Sequence, residues 1–209
     1  AEKPLDPGGA ARVTRLAAYM KADDKLYQAA SLWVQADPES LEAHQFLADQ
    51  LVKRALYVDA FETMKSIDRL GGEAQFDYFA YRVGRMTTQD QEALLAGLNE
   101  MLAVNPSEPQ ILFSKAALLE ALGEAQAALD IADILLRLKP TELNFIILKA
   151  NLLSDMSRKP AAQLFLSQQL AINPDQPRLR LLLARLFFEA QAFADARAQY
   201  QTLHEIRPE

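Results

Sequence analysis

Prolines stand at Pro106, Pro140, Pro174 and Pro208, each 34 residues after the last, and Pro38 lies two periods ahead of Pro106. Gly72 fills the place between Pro38 and Pro106. A fixed beat of this length is the sign of a repeat solenoid, in which each unit cannot bury its apolar side alone and must stack on its neighbours. Proline lacks an amide donor and forces the residue before it out of the helical region, so helices are predicted to stop at Asn105, Lys139, Asn173 and Arg207. New helices are predicted to start at once, with Ser107 and Gln110 in a capping-box pattern and Thr141 or Asp175 capping the later copies. Pro109 and Pro177 then fall in a first turn, where a missing N–H costs little.

The interior of the unit repeats as well. With the third residue after each beat counted as the first position, the eighth is Ala48, Ala116, Ala150 or Ala184, and the twentieth is Ala60, Ala128, Ala162 or Ala196. Small residues at both places suit two helices that approach closely. Turn residues lie between them at Gly123, at Ser157 with Pro160, and at Gln191, and apolar residues recur at helical spacing on either side. Each unit therefore reads as a helix, a tight turn and an antiparallel helix. The fold class is all-α, an α-solenoid of about five full repeats and one partial repeat.

The expected boundaries are a flexible linker at 1–11, a partial unit at 12–38, and full units at 39–72, 73–106, 107–140, 141–174 and 175–208. The partial unit is expected to have a short first helix and "KADDK" as its turn. In 73–106 the small residue shifts to Ala80, the twentieth becomes Leu94, and "GRMTTQDQ" lengthens the turn. A stretched turn is expected there, with a helix restarting near Thr88 or Gln89. "LGGEAQ" at Leu70–Gln75 reads as a helix C-cap. The chain opens without Met, with Pro4, Pro7, Gly8 and Gly9 close together, and stops on "EIRPE". It is read as a piece of a longer helical array, with any export signal or lipid anchor upstream.

Thirty-four residues is the length of the tetratricopeptide repeat (TPR), and the chain resembles that family in its period and its alanine positions. The resemblance implies a right-handed superhelix whose first helices line a concave groove through positions 2, 5, 9, 12 and 13 of each unit. The candidate partner-binding residues on that reading are Phe113, Asn144, Ile147, Asn151, Arg178, Arg185 and Phe188, with Tyr78, Tyr81 and Arg85 from the irregular unit. The same positions offer Glu42, Gln45, Asp49, Lys53, Gln110, Glu120, Asp155 and Leu181. Exposed aromatic and guanidinium groups are the types enriched where proteins and peptides bind. Arg178 and Arg185 are two helical turns apart, so they share a face and could hold a carboxylate, or pair with Glu189 or Asp155. The carboxylate clamp that grips chaperone tails is absent, since its lysine position is Gln45, Phe113, Ile147 or Leu181.

Little else suggests chemistry. A net charge of −6 disfavours general affinity for nucleic acid or anionic membrane. With no cysteine, disulfides, thiolate catalysis and Cys-bound zinc are excluded. His44 and His204 are 160 residues apart and read as helix-packing residues. The acidic pairs Asp23 with Asp24 and Glu120 with Glu124 read as solvated charges. No phosphate loop or nucleophile elbow occurs. No cofactor is expected, and the chain is read as non-catalytic.

Three segments carry a closer resemblance: "FDYFAY" (Phe76–Tyr81), "QILFSKAALLEALG" (Gln110–Gly123) and the stretch Arg12–Pro38. They resemble bacterial outer-membrane TPR lipoproteins that serve in the periplasm as adaptors for a carboxyl-terminal processing protease, delivering peptidoglycan hydrolases to it. The resemblance implies protein or peptide partners, no nucleic acid, no membrane insertion by this segment, and a periplasmic location. A cytoplasmic TPR regulatory module, or the TPR part of an enzyme whose catalytic domain lies elsewhere, is the alternative.

Overall fold

The computed structural model describes residues 6–206. Residues 1–5 of the expected linker and the expected helix stop at Arg207 lie outside them. Among the described residues there are eleven α-helices and two short 3-10 helices. The chain divides into two compact units, Ala1–Ser114 and Lys115–Glu209, with the division inside the sixth helix.

The first unit holds α1 (Pro7–Tyr19), α2 (Asp23–Ala36), α3 (Leu41–Lys53), α4 (Tyr57–Arg69), α5 (Thr88–Val104) and the first turns of α6 (Pro109–Ala121). Two expectations fail at its start. Pro7–Ala11 are helix rather than linker, because Asp6 caps the Gly8 amide at 3.0 Å and Pro7 occupies the first helical position. The first hairpin is also complete: α1 is as long as α3, and Asp23 and Asp24 open α2 rather than forming a turn.

The second unit holds the rest of α6, then α7 (Ala125–Leu138), α8 (Leu143–Asp155), α9 (Lys159–Ile172), α10 (Pro177–Glu189) and α11 (Phe193–Ile206). The alanines do what their size predicts: Ala116, Ala128, Ala150, Ala162 and Ala184 have no exposed surface, and Leu118, Leu135, Leu152 and Leu166 are equally buried. Helices end at Asn105, Lys139 and Asn173, as proline requires. The caps fall one residue later than expected. Ser40 and Glu142, two residues after the beat, accept bonds from Ala43 and Asn144 amides, while Gln176 occupies the same place without a side-chain bond.

The 34-residue beat is also written in the backbone. Lys21, Ala55, Gly123, Ser157 and Gln191 all have left-handed conformations, with φ from 52° to 85°. At each, the residue's amide bonds three residues back and the next amide five back, as in Lys21 to Ala18 and Ala22 to Ala17. This is the closure that lets the chain reverse within two residues of a helix end. Only one of the five is glycine, so four side chains accept an unfavourable conformation. The double glycine provides the same closure at the end of α4, with Gly71 at φ 78°.

The missing sixth instance falls at residue 89, inside α5. Here 73–106 has no first α-helix, only 3-10 turns at Phe76–Phe79 and Val83–Arg85. α5 begins at Thr88, under a capping box between Thr87 and Asp90. Phe76 and Phe79 both pack edge-on to Phe61, at ring distances of 5.8 and 5.7 Å. A side chain at Gly97 would run into the Phe61 ring, so the aromatic cluster needs glycine there. Two α6 side chains replace lost helical bonds: Gln110 Oε1 accepts from the Phe76 amide at 3.1 Å, and Ser114 Oγ donates to its carbonyl at 2.6 Å. Gln110 is thus occupied in structure rather than open to a partner.

Candidate binding cleft

In the first unit, Tyr78 and Arg85 line a cleft of about 270 Å³ with Lys53, Tyr57 and Arg82. The Arg82 guanidinium sits 5.4 Å from the Tyr78 ring, so that aromatic face is already covered. Phe113 is buried, with the exposed ring of Tyr81 5.5 Å away, so it offers no side chain to a partner. Glu42 takes two hydrogen bonds from Arg15, which hold its carboxyl below the ordinary range. Lys53 bonds Asp49 at 2.8 Å and lies 3.7 Å from Asp23, so its ammonium is held above its usual value, chiefly by the Asp49 bond.

The second unit brings four candidates together. Ile147, Asn151, Arg178 and Arg185 line a cleft of about 650 Å³, joined by Glu120, Asp155, Leu181, Leu182 and Tyr200. The helical period explains the assembly. Ile147, Asn151 and Asp155 follow at steps of four along α8, and Arg178, Leu181 and Arg185 at steps of three and four along α10, so each set shares one helix face.

The charges in this cleft are only partly matched. Arg185 Nε lies 3.5 Å from Glu189 Oε1, but Glu189 also bonds Lys159 at 2.9 Å. The Lys159 bond is the main cause of the lowered Glu189 carboxyl. Among the described residues no ion pair engages Arg178, Glu120 or Asp155. Of the two pairings weighed for the arginines, only that of Arg185 with Glu189 is present. Glu120 is half-buried rather than solvated, and its carboxyl is pushed up by desolvation first and by Asp155 second.

Asn144 is half-buried at the start of α8, where its amide bonds Glu142, and does not line the cleft. Phe188 is 59% exposed and stacks edge-on to Phe193 at 5.5 Å in a separate apolar depression with Tyr200 and His204. His204 is therefore exposed, while His44 is buried with Nδ1 on the Ser40 carbonyl at 3.0 Å. Sequence reasoning missed Tyr200 and Leu182 because neither occupies an expected groove position.

Comparison with known proteins agrees with this architecture. Residues 160–209 match the tetratricopeptide repeat family. The chain is 29% identical over 184 residues to the TPR repeat-containing protein PA4667 of Pseudomonas aeruginosa, covering 88% of this chain and 31% of that protein. It thus spans about a third of that relative's length. Among solved structures, MamA 41-end from Desulfovibrio magneticus RS-1 aligns with a TM-score of 0.53 at 9% identity, over 97% of this chain and 95% of that one. The crystal structure of the MamA protein gives 0.50 at 12% identity, over 97% and 92%. At such identities the likeness is one of fold: sequential antiparallel helix pairs of the TPR type.

Proposed function

We propose that this protein is a non-catalytic scaffold that binds protein or peptide partners through the cleft of its second unit. In the cell it acts as part of an outer-membrane-associated periplasmic adaptor that brings peptidoglycan hydrolases to a carboxyl-terminal processing protease. The carrying observation is the cleft itself, where the unpaired Arg178, the half-buried amide of Asn151 and the exposed Leu181 converge on a rigid helical frame. A preformed surface binds with little ordering cost, which suits a protein whose work is recognition. The adaptor role is supported by the resemblance of Arg12–Pro38, Phe76–Tyr81 and Gln110–Gly123 to such lipoproteins. Among the described residues no helix is long and apolar enough to cross a membrane.

Crosslinking capture from bacterial envelope extract tests this, comparing wild type with Arg178→Glu/Arg185→Glu. A protease and a peptidoglycan hydrolase should be recovered on the wild type and lost on the double variant. Undiminished recovery on the variant removes the cleft from the reading, and recovery of neither enzyme on the wild type removes the adaptor role.

A further inference from the structure

The unmatched charges of the second-unit cleft occupy unusual places on their helices. Glu120 is the penultimate residue of α6 and Asp155 the last of α8, while Arg178 is the second residue of α10. A helix carries partial positive charge at its amino end and partial negative charge at its carboxyl end. All three side chains therefore sit where the backbone field opposes their own charge, and among the described residues none has an ion-pair partner to offset it. Glu120 is also half-buried, and its carboxyl is raised by desolvation and by Asp155, while Arg185, the other arginine of the cleft, is engaged by Glu189 at 3.5 Å and pairs with neither acid. A helix surface selected only for solubility would have these charges reversed.

Successive first helices run in the same direction, so the acids lie at one end of the cleft and Arg178 at the other. Asp155 and Arg178 differ by eleven residues in their place along the repeat, roughly 16 to 17 Å of helical rise. An extended chain covers that distance in about five residues. Between the two ends lie Ile147 and Leu181, the latter 49% exposed, and the Asn151 amide.

We propose that the ligand of this cleft is an extended peptide segment carrying a basic and an acidic residue about five positions apart, with small apolar residues between them. The basic group meets Glu120 and Asp155, and the acidic group meets Arg178. Asn151 is placed to bond the intervening backbone. This rests on the scaffold reading above and adds the charge pattern of the partner.

The test uses fluorescence anisotropy of the whole chain with three labelled peptides. The first is Gly-Lys-Ala-Ala-Leu-Ala-Glu-Gly; the others carry lysine, or glutamate, at both charged places. Wild type should bind the mixed peptide about tenfold more tightly than either like-charged one, the effect of one charge-assisted contact. Arg178→Glu should transfer the preference to the double-lysine peptide, and Asp155→Arg to the double-glutamate peptide. Both sites are exposed, and circular dichroism melts of the variants should match wild type, which checks that they fold. Equal binding of all three peptides, no binding, or an unchanged preference in the variants overturns the proposal. If envelope partners are still captured by wild type and lost on Arg178→Glu/Arg185→Glu, the scaffold reading survives that failure.

Discussion

The two units treat the charges on their first helices in opposite ways. In the first, Arg15 of α1 holds Glu42 of α3 through two bonds, and Lys53 is engaged by Asp49 and Asp23. Second-helix positions there are bridged too, Arg69 to Glu39 at 3.1 Å and Arg54 to Asp24 at 2.6 Å. In the second, Lys149 pairs with Asp133, but among the described residues Glu120, Asp155 and Arg178 in the cleft have no ion pair. Exposed pairs of this kind contribute little to stability, so the difference is not one of strength. What it marks is availability: the first unit engages Glu42 and Lys53 internally, whereas the second presents Glu120, Asp155 and Arg178 to its cleft.

The units also differ in how they are held. Both bury the alanines of the beat, Ala48 and Ala60 in the first and Ala150 and Ala162 in the second, but the first also depends on the Phe61, Phe76 and Phe79 cluster that stands in for a helix. The largest expected effect follows from removing its centre. Phe61→Ala should cost about 3–5 kcal/mol, as for other buried aromatic truncations. In hydrogen exchange, protection should fall across α4 and α5 and persist in α8 to α11. A uniform loss along the chain would break the distinction between the units.

Next is Ser114→Ala, which leaves the Phe76 carbonyl without its buried donor. A loss of about 1–3 kcal/mol is expected in urea unfolding, the cost of an orphaned buried group. Loss at the low end would mean that water reaches the carbonyl and that the replacement of the helix is looser than its geometry.

A smaller effect should be shared by both units. Ala55→Gly in the first and Gln191→Gly in the second relieve the same left-handed backbone, and each should raise stability by up to about 1 kcal/mol after glycine's entropic cost. The midpoints of the two variants should shift together. A gain in only one would show that the turns, alike in φ, differ in strain.

The smallest effect concerns pH. The folded Glu120 carboxyl lies above its ordinary 4.5, so the folded state binds its proton more tightly than the unfolded state does. That contribution is fully present below 4.5 and is lost as pH rises through the folded value. Glu120→Gln should therefore melt slightly above wild type at neutral pH, and the gap should close as the medium is acidified. Glu42 in the first unit has the opposite sign, its lowered carboxyl contributing above the ordinary range and failing as pH falls through the depressed value. A Glu42→Gln variant that gained stability at neutral pH would contradict the claim that the first unit's charges are matched.

Most of the fold was legible because its cause is local. Proline's missing donor ends helices wherever it falls, and a buried alanine marks a close approach whatever lies around it. The short caps were displaced by one residue, since Ser107, Thr141 and Asp175 look as able to cap as the residues after them. The completeness of the first hairpin was hidden by its composition: Gly8 and Gly9 suggest a linker, yet one side-chain bond from Asp6 is enough to start a helix. The site was legible in part. Arg178, Arg185, Ile147 and Asn151 converge because of helical phase, which sequence carries, whereas Phe113 lies beneath Tyr81 and Phe188 faces away because of packing, which it does not.

Sequence by itself determined the period, the helix ends and the small contacts, because each follows from the conformational limits of single residues. Only the tertiary structure decided which charges find partners. Ion pairs form between helices some 27 to 30 residues apart, as in Arg15 with Glu42 and Lys159 with Glu189. Whether two such side chains meet depends on where packing places their ends, and that placement is what separates the engaged Glu42 and Lys53 of one unit from the open cleft of the other.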